Sequence, residues 1–186
     1  MKRLFIAIDI SENQDVMRIY KDVKMRLSKD KIRWVKPENM HITLKFLGST
    51  PAEKVKDVIK TMENISRKYS ATELVFSRVG IFGSSYKPRV IWIGFEENAS
   101  LQNLAADLKR AYVPLGYEAD RQNFVPHLTL GRISAISSKR YFQTVIDRHL
   151  NLQSAPVTVN KIYLYESILR REGPEYKVLK TVDLNQ

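Results

Sequence analysis

The chain has 186 residues, 44% hydrophobic and 27% charged, enough for one well-buried domain and short for two. No apolar run nears the ~20 residues that a membrane-spanning helix needs, and the absence of cysteine excludes disulfides and thiolate chemistry; a cytoplasmic location is expected. Thirty-one Lys and Arg against 20 Asp and Glu leave a formal net charge of +11, which favours anionic partners, RNA among them.

The opening MKRLFIAIDI starts like a signal peptide, but Asp9 interrupts its apolar stretch and no small-residue cleavage site follows. Residues 3–10 are therefore expected to form the first strand. Ser11 suits an N-cap, and Val16, Ile19, Tyr20 and Val23 follow at helical spacing. After Trp34 and Pro37 comes a strand, NMHITLKFLG, that carries His41. Thr50, Pro51 and Glu53 read as the cap, first helical residue and capping-box partner of a second helix. Residues 73–82 and 89–95 read as strands. A helix from about Ser100 stops before Pro114 and Gly116. PHLTLGRI carries His127 on another strand, Ser137 or Ser138 opens a last helix, and residues 156–167 form a strand.

The order strand, helix, His strand, helix, strand thus occurs twice. The offsets are nearly constant: 93 − 8 = 85 for Ile93 and Ile8, 127 − 41 = 86 for the histidines, 137 − 51 = 86 for Ser137 and Pro51, and 157 − 75 = 82 for Val157 and Val75. So long a period indicates a duplicated lobe rather than a solenoid. FGSSYKPR (82–89) is expected to join the copies, and a strand after Gly173 and Pro174 to end the chain. The expected fold is α+β and bilobal, with two pseudo-symmetric, mainly antiparallel sheets backed by helices around a central cleft. All 186 residues form one domain in this reading. Its lobes span roughly 1–84 and 88–168, with the C-terminal strand added and strands free to cross between lobes.

Alternation along a strand puts His41 and Thr43 on one face with Ile42 and Leu44 on the other, and His127 and Thr129 opposite Leu128 and Leu130. The apolar pairs anchor each strand, and the polar faces meet in the cleft. By the same parity Lys45 points with His41. Two imidazoles suit acid–base catalysis, one neutral and accepting a proton, the other protonated and donating one. Hydroxyls and cations suit the charged oxygens of a phosphoryl centre. No metal is expected: each motif offers one ligand, neither holds a carboxylate, and there is no cysteine. With eight Thr in 186 residues, a given His meets one two places on about one time in twenty, so the spaced pair is specific where a single motif is not. His149 lacks the Thr, lies near a helix C-terminus and reads as structural.

RLFIAIDI, WVKPENMHITLKFLG, PRVIWIGF, FVPHLTLGR and LYESILRREGPEYKVL together resemble the RNA 2′,3′-cyclic phosphodiesterases, or 2′-5′ RNA ligases, of the two-histidine phosphoesterase superfamily. The resemblance implies opening of a terminal 2′,3′-cyclic phosphate on RNA to a 2′-phosphate, with neither metal nor cofactor. It implies that His41 donates and His127 accepts the proton, roles that a near-symmetric pattern alone leaves open. Thr43 and Thr129 would contact phosphate, Phe46 and Arg132 would clamp the terminal base, and some relatives ligate without ATP. Parity sets Phe46 on the core side, so its role needs a local bulge; Gly131 would let the strand bend Arg132 towards the cleft. Tyr176 matches a tail position that lines core or cleft. The expected partner is RNA ending in a 2′,3′-cyclic phosphate or 2′-phosphate, with no membrane and a monomeric protein. Two other readings are the same chemistry on small cyclic nucleotides and a non-catalytic RNA-end binder.

Overall fold

The computed structural model describes residues 1–118 and 125–185. Its strands are β1 (Lys2–Asp9), β2 (Lys31–Trp34), β3 (His41–Thr50), β4 (Thr72–Leu74), β5 (Phe76–Gly83), β6 (Pro88–Phe95), β7 (Leu128–Ala135), β8 (Val157–Val159), β9 (Lys161–Arg170) and β10 (Gly173–Asp183). The helices are α1 (Gln14–Arg26), α2 (Val55–Ser66), α3 (Ala99–Tyr112) and α4 (Lys139–Asp147).

The caps explain where the helices begin. Asn13 Oδ1 accepts from Val16 N at 2.9 Å, so Asn13 rather than Ser11 opens α1. Asn98 serves α3 in the same way at 2.8 Å, and Ser138 caps α4. Thr50 ends β3 instead of capping α2; a 3-10 turn at Ala52–Lys54 comes between them, and α2 has no side-chain cap.

The first antiparallel half-sheet runs β10-β9-β1-β3, and the second contains β7, β6 and β5 with β2 on the other edge of β7. They join through the single pair Ile42↔Leu128 of β3 and β7. These residues are equivalent in the duplication, since 128 − 42 = 86, so the pseudo-twofold axis passes between them. Both are fully buried, each contributing about 1.5–3 kcal/mol through removal from water. α2 and α3 pack together behind the first half-sheet, and α4 lies behind β5 with α1 beside it.

The repeats trade strands. β5, from the first repeat, pairs with β6, while β9, from the second, pairs with β1. FGSSYKPR is therefore the turn of the β5–β6 hairpin within one lobe, not a joint between lobes. A short turn closes at little entropic cost, and Gly83 supplies the positive φ of 101° that it needs. β2 also crosses, pairing with β7; with only four residues it shows too little alternation to be recognised in the sequence. The strands expected at 73–82 and 156–167 are each divided, and their first parts form the small β4–β8 sheet.

His149 is structural, as expected. It is 8% exposed; Nδ1 meets Val145 O at 2.8 Å and Nε2 meets Asp22 Oδ2 at 3.0 Å, tying α4 to α1. Among the described residues no helix is long and apolar enough to cross a membrane.

Candidate active site

The Ile42↔Leu128 pair sends its two side chains into the core. The residues flanking each of them therefore face the opposite way: His41 and Thr43 either side of Ile42 on β3, and His127, just ahead of β7, with Thr129 either side of Leu128. All four line one cleft of about 280 Å³. The structure thus brings together the four residues that the motifs single out.

Each ring is oriented by its own chain. His41 Nδ1 lies 2.7 Å from Asn39 O, and His127 Nδ1 lies 2.8 Å from Val125 O, the same arrangement 86 residues apart (125 − 39). A carbonyl can only accept, so Nδ1 donates its proton in both and Nε2 remains for chemistry. Aromatic neighbours fix the rings further. Phe5 and Tyr176 lie 4.9 and 5.2 Å from His41, and Phe82 is edge-on to His127 at 4.6 Å.

Burial pushes the His41 pKa below its ordinary value; the Asn39 carbonyl and the Asp9 carboxylate pull it up, and His127 lowers it. Burial also lowers the His127 pKa, against the Val125 carbonyl, and the Arg132 charge lowers it further. The two sites thus differ in their charged neighbours, an anion near one and a cation near the other.

Beyond the threonines each strand has a bulge. β1 pairs Ala7 with Thr43 and Ile6 with Lys45, leaving Leu44 extra. β6 pairs Trp92 with Thr129 and Ile91 with Gly131, leaving Leu130 extra. Each bulge reverses the parity that follows it. Phe46 and Arg132 accordingly emerge on the cleft side and line it, and Phe46 is 61% exposed.

The same reversal corrects the expectation for Lys45. It does not face the cleft with His41: it is 2% exposed, and its Nζ donates to Glu118 O at 2.8 Å. Its ammonium thus lies on the core side of β3, outside the cleft lining.

The cleft has walls that motif reasoning missed. Arg33 and Lys36 line it from β2 and the turn beyond, and Glu172 and Gly173 line it from the β9–β10 hairpin, beside Tyr176, whose tail position was expected to line core or cleft. Asn39 Nδ2 donates to Pro174 O at 2.9 Å, binding that hairpin to the His41 strand. The basic letters around Trp34 were the signal for the first wall, but only the crossing of β2 brings them to His127. A larger hollow of about 480 Å³ lies past Phe46, between Gly48, Lys54 and Tyr117. It contains neither histidine, so volume does not mark the site here. Among the described residues no three His, Asp or Glu side chains converge as metal ligands would. What remains is a proton donor and acceptor pair with hydroxyls and cations, suited to a negatively charged, tetrahedral reacting centre.

Comparison with known proteins agrees with this geometry. The family described as LigT like Phosphoesterase matches the chain twice, at residues 8–92 and 93–176, the two copies of the duplication. The chain belongs to this family. It is 33% identical to the RNA 2′,3′-cyclic phosphodiesterase of Methanocaldococcus jannaschii, covering 96% of this chain and 98% of the relative. It is also 33% identical to the protein of that name from Aquifex aeolicus, covering 96% and 95%. Among solved structures, TT0787 of Thermus thermophilus superposes with a TM-score of 0.80 at 26% identity, over 98% of this chain and 97% of that one. E. coli LigT complexed with 3′-AMP superposes with a TM-score of 0.76 at 26% identity, over 100% and 99%.

Proposed function

We propose that the protein hydrolyses the 2′,3′-cyclic phosphate at an RNA 3′ end to a 2′-phosphate, using His41 and His127 as acid and base without a metal. The observation that carries this reading is the placement of both His-x-Thr faces on one cleft, either side of the Ile42–Leu128 pair. The names of the similar proteins support the choice of substrate.

His127 Nε2 takes a proton from water as the water oxygen bonds to phosphorus. The bond from phosphorus to O3′ breaks, and His41 Nε2 gives its proton to O3′. Arg132 disfavours a charge on His127, as suits a base, while Asp9 favours one on His41, as suits an acid. Thr43 and Thr129 donate to the non-bridging oxygens, whose charge grows in the transition state. Phe46 and Arg132 border the space for the terminal base. A 5′-hydroxyl in place of water would join two ends through a 2′–5′ linkage by the same proton transfers.

The test is turnover of an oligoribonucleotide with a 2′,3′-cyclic phosphate, in chelator, with the product end identified. A 2′-phosphate product and a loss of about 10²–10⁴-fold in His41→Ala and in His127→Ala are expected. A 3′-phosphate product, or near-normal turnover by either variant, would overturn the reading.

A further inference from the structure

Arg33 and Arg132 stand directly opposite each other where β2 pairs with β7. Both are exposed, both line the catalytic cleft, and Lys36 lines it with them. Like charges directly opposed on a sheet destabilise it unless an anion lies between them. Among the described residues none of the three cations has an ion-pair partner. Glu172 lines the same cleft, and among the described residues it forms no ion pair with any of them. A strand that crosses from one repeat to the other thus presents an uncompensated basic cluster to the reaction site.

We propose that Arg33, Lys36 and the edge of Arg132 form a second phosphate subsite, which takes the phosphodiester 5′ to the terminal nucleotide. This rests on the phosphodiesterase reading and narrows its substrate class to RNA chains over free cyclic mononucleotides. The spacing fits. Thr129 and Arg132 are three residues apart with one in the bulge, about 7–10 Å along the strand, the reach of one nucleotide of backbone. A guanidinium can donate two parallel hydrogen bonds to a phosphate from its edge while its face lies against a base. Arg132 can therefore serve both, and Arg33 has the phosphate as its remaining partner.

Two substrates with the same terminal base separate the possibilities: a nucleoside 2′,3′-cyclic monophosphate, and a dinucleotide ending in the same cyclic phosphate. Arg33→Gln is expected to lower the dinucleotide-to-mononucleotide ratio of kcat/KM by about tenfold or more, the value of a charge-assisted hydrogen bond. The loss should appear mainly in KM. Lys36→Gln should act in the same direction, and Arg33→Lys should restore part of the ratio. The slope of log KM against log salt for the dinucleotide should fall by about one in Arg33→Gln. A mononucleotide carrying an added 5′-phosphate should behave like the dinucleotide, which separates recognition of the phosphate from recognition of the preceding nucleoside. Equal losses on both substrates, or no loss on either, would overturn the subsite. If the wild-type protein turns over neither substrate, the phosphodiesterase reading fails instead. The same ratio is then taken from dissociation constants of the 2′-phosphorylated dinucleotide and nucleoside, and a ratio that Arg33→Gln leaves unmoved would overturn the subsite by itself.

Discussion

Leu44 and Leu130 are the extra residues of two equivalent bulges, 130 − 44 = 86 positions apart. Both are buried at 0–1% exposure, and each is followed by a second buried residue, Lys45 or Gly131. Two successive buried positions break strand alternation and turn the next residue, Phe46 or Arg132, to the cleft. One backbone irregularity, present in both repeats, therefore builds both borders of the space above the histidines.

The proposed roles of the histidines predict a pH dependence. With His127 neutral as base and His41 protonated as acid, activity falls below the His127 pKa and above the His41 pKa. Burial lowers both from the ordinary 6.5. The kcat/KM profile should be a bell whose alkaline limb lies below that value, because kcat/KM reports the free enzyme. A profile flat from about pH 5 to 8, the range in which an imidazole changes charge, measured with the cyclic-phosphate dinucleotide, would contradict the acid–base pair.

Stability carries the same sign. A His pKa lowered by folding means that the unfolded chain binds more protons, so folding is favoured above the unfolded value and weakens as pH falls through the folded one. His41→Asn removes this penalty. Relative to wild type it should gain melting temperature on going from pH 7.5 to pH 5 (values either side of the shifted titration). A constant difference between the two proteins would show that His41 does not titrate with folding.

Lys45 should matter to folding and little to turnover. Lys45→Met keeps the apolar stem but removes the donor to Glu118 O, leaving that carbonyl without this bond. A loss of about 1–3 kcal/mol is expected in denaturant unfolding, with kcat/KM close to wild type. A tenfold loss of kcat/KM in the folded variant would return Lys45 to the site.

Phe46 should behave in the opposite way. At 61% exposure it loses little packing in Phe46→Ala, so stability should stay within about 0.5 kcal/mol. KM should rise by roughly tenfold, as befits loss of a base-stacking face. Unchanged KM with lower stability would assign Phe46 to its 5.9 Å contact with Phe5.

Gly80 supports His127 from a distance. A Cβ at Gly80 would overlap the Trp92 ring, which lies beside Phe82 at 5.2 Å, and Phe82 touches His127. Gly80→Ala should cost about 1–3 kcal/mol through overpacking, and kcat should fall with it as the ring support shifts. A variant with wild-type melting and turnover would show that Trp92 yields freely.

Local regularities were legible because they are written in adjacent letters. The cap at Ser138 follows from a hydrogen bond within one turn, the α3 cap at Asn98 lies two residues before the expected start near Ser100, and the displaced cap at Asn13 lies two residues from the expected Ser11. The His-x-Thr faces follow from strand parity, and the duplication from constant spacing. The orientation of Lys45 was misread because a bulge depends on how the partner strand β1 pairs, which His41–Thr50 alone does not encode.

The sequence by itself determined that one polar face in each repeat carries an imidazole and a hydroxyl, since alternation within a strand needs no partner. Only the tertiary structure decided which strands share a lobe, how β2 brings Arg33 opposite Arg132, and where bulges reverse parity. These are pairings between distant segments, and their free energy resides in contacts that no single stretch of chain possesses.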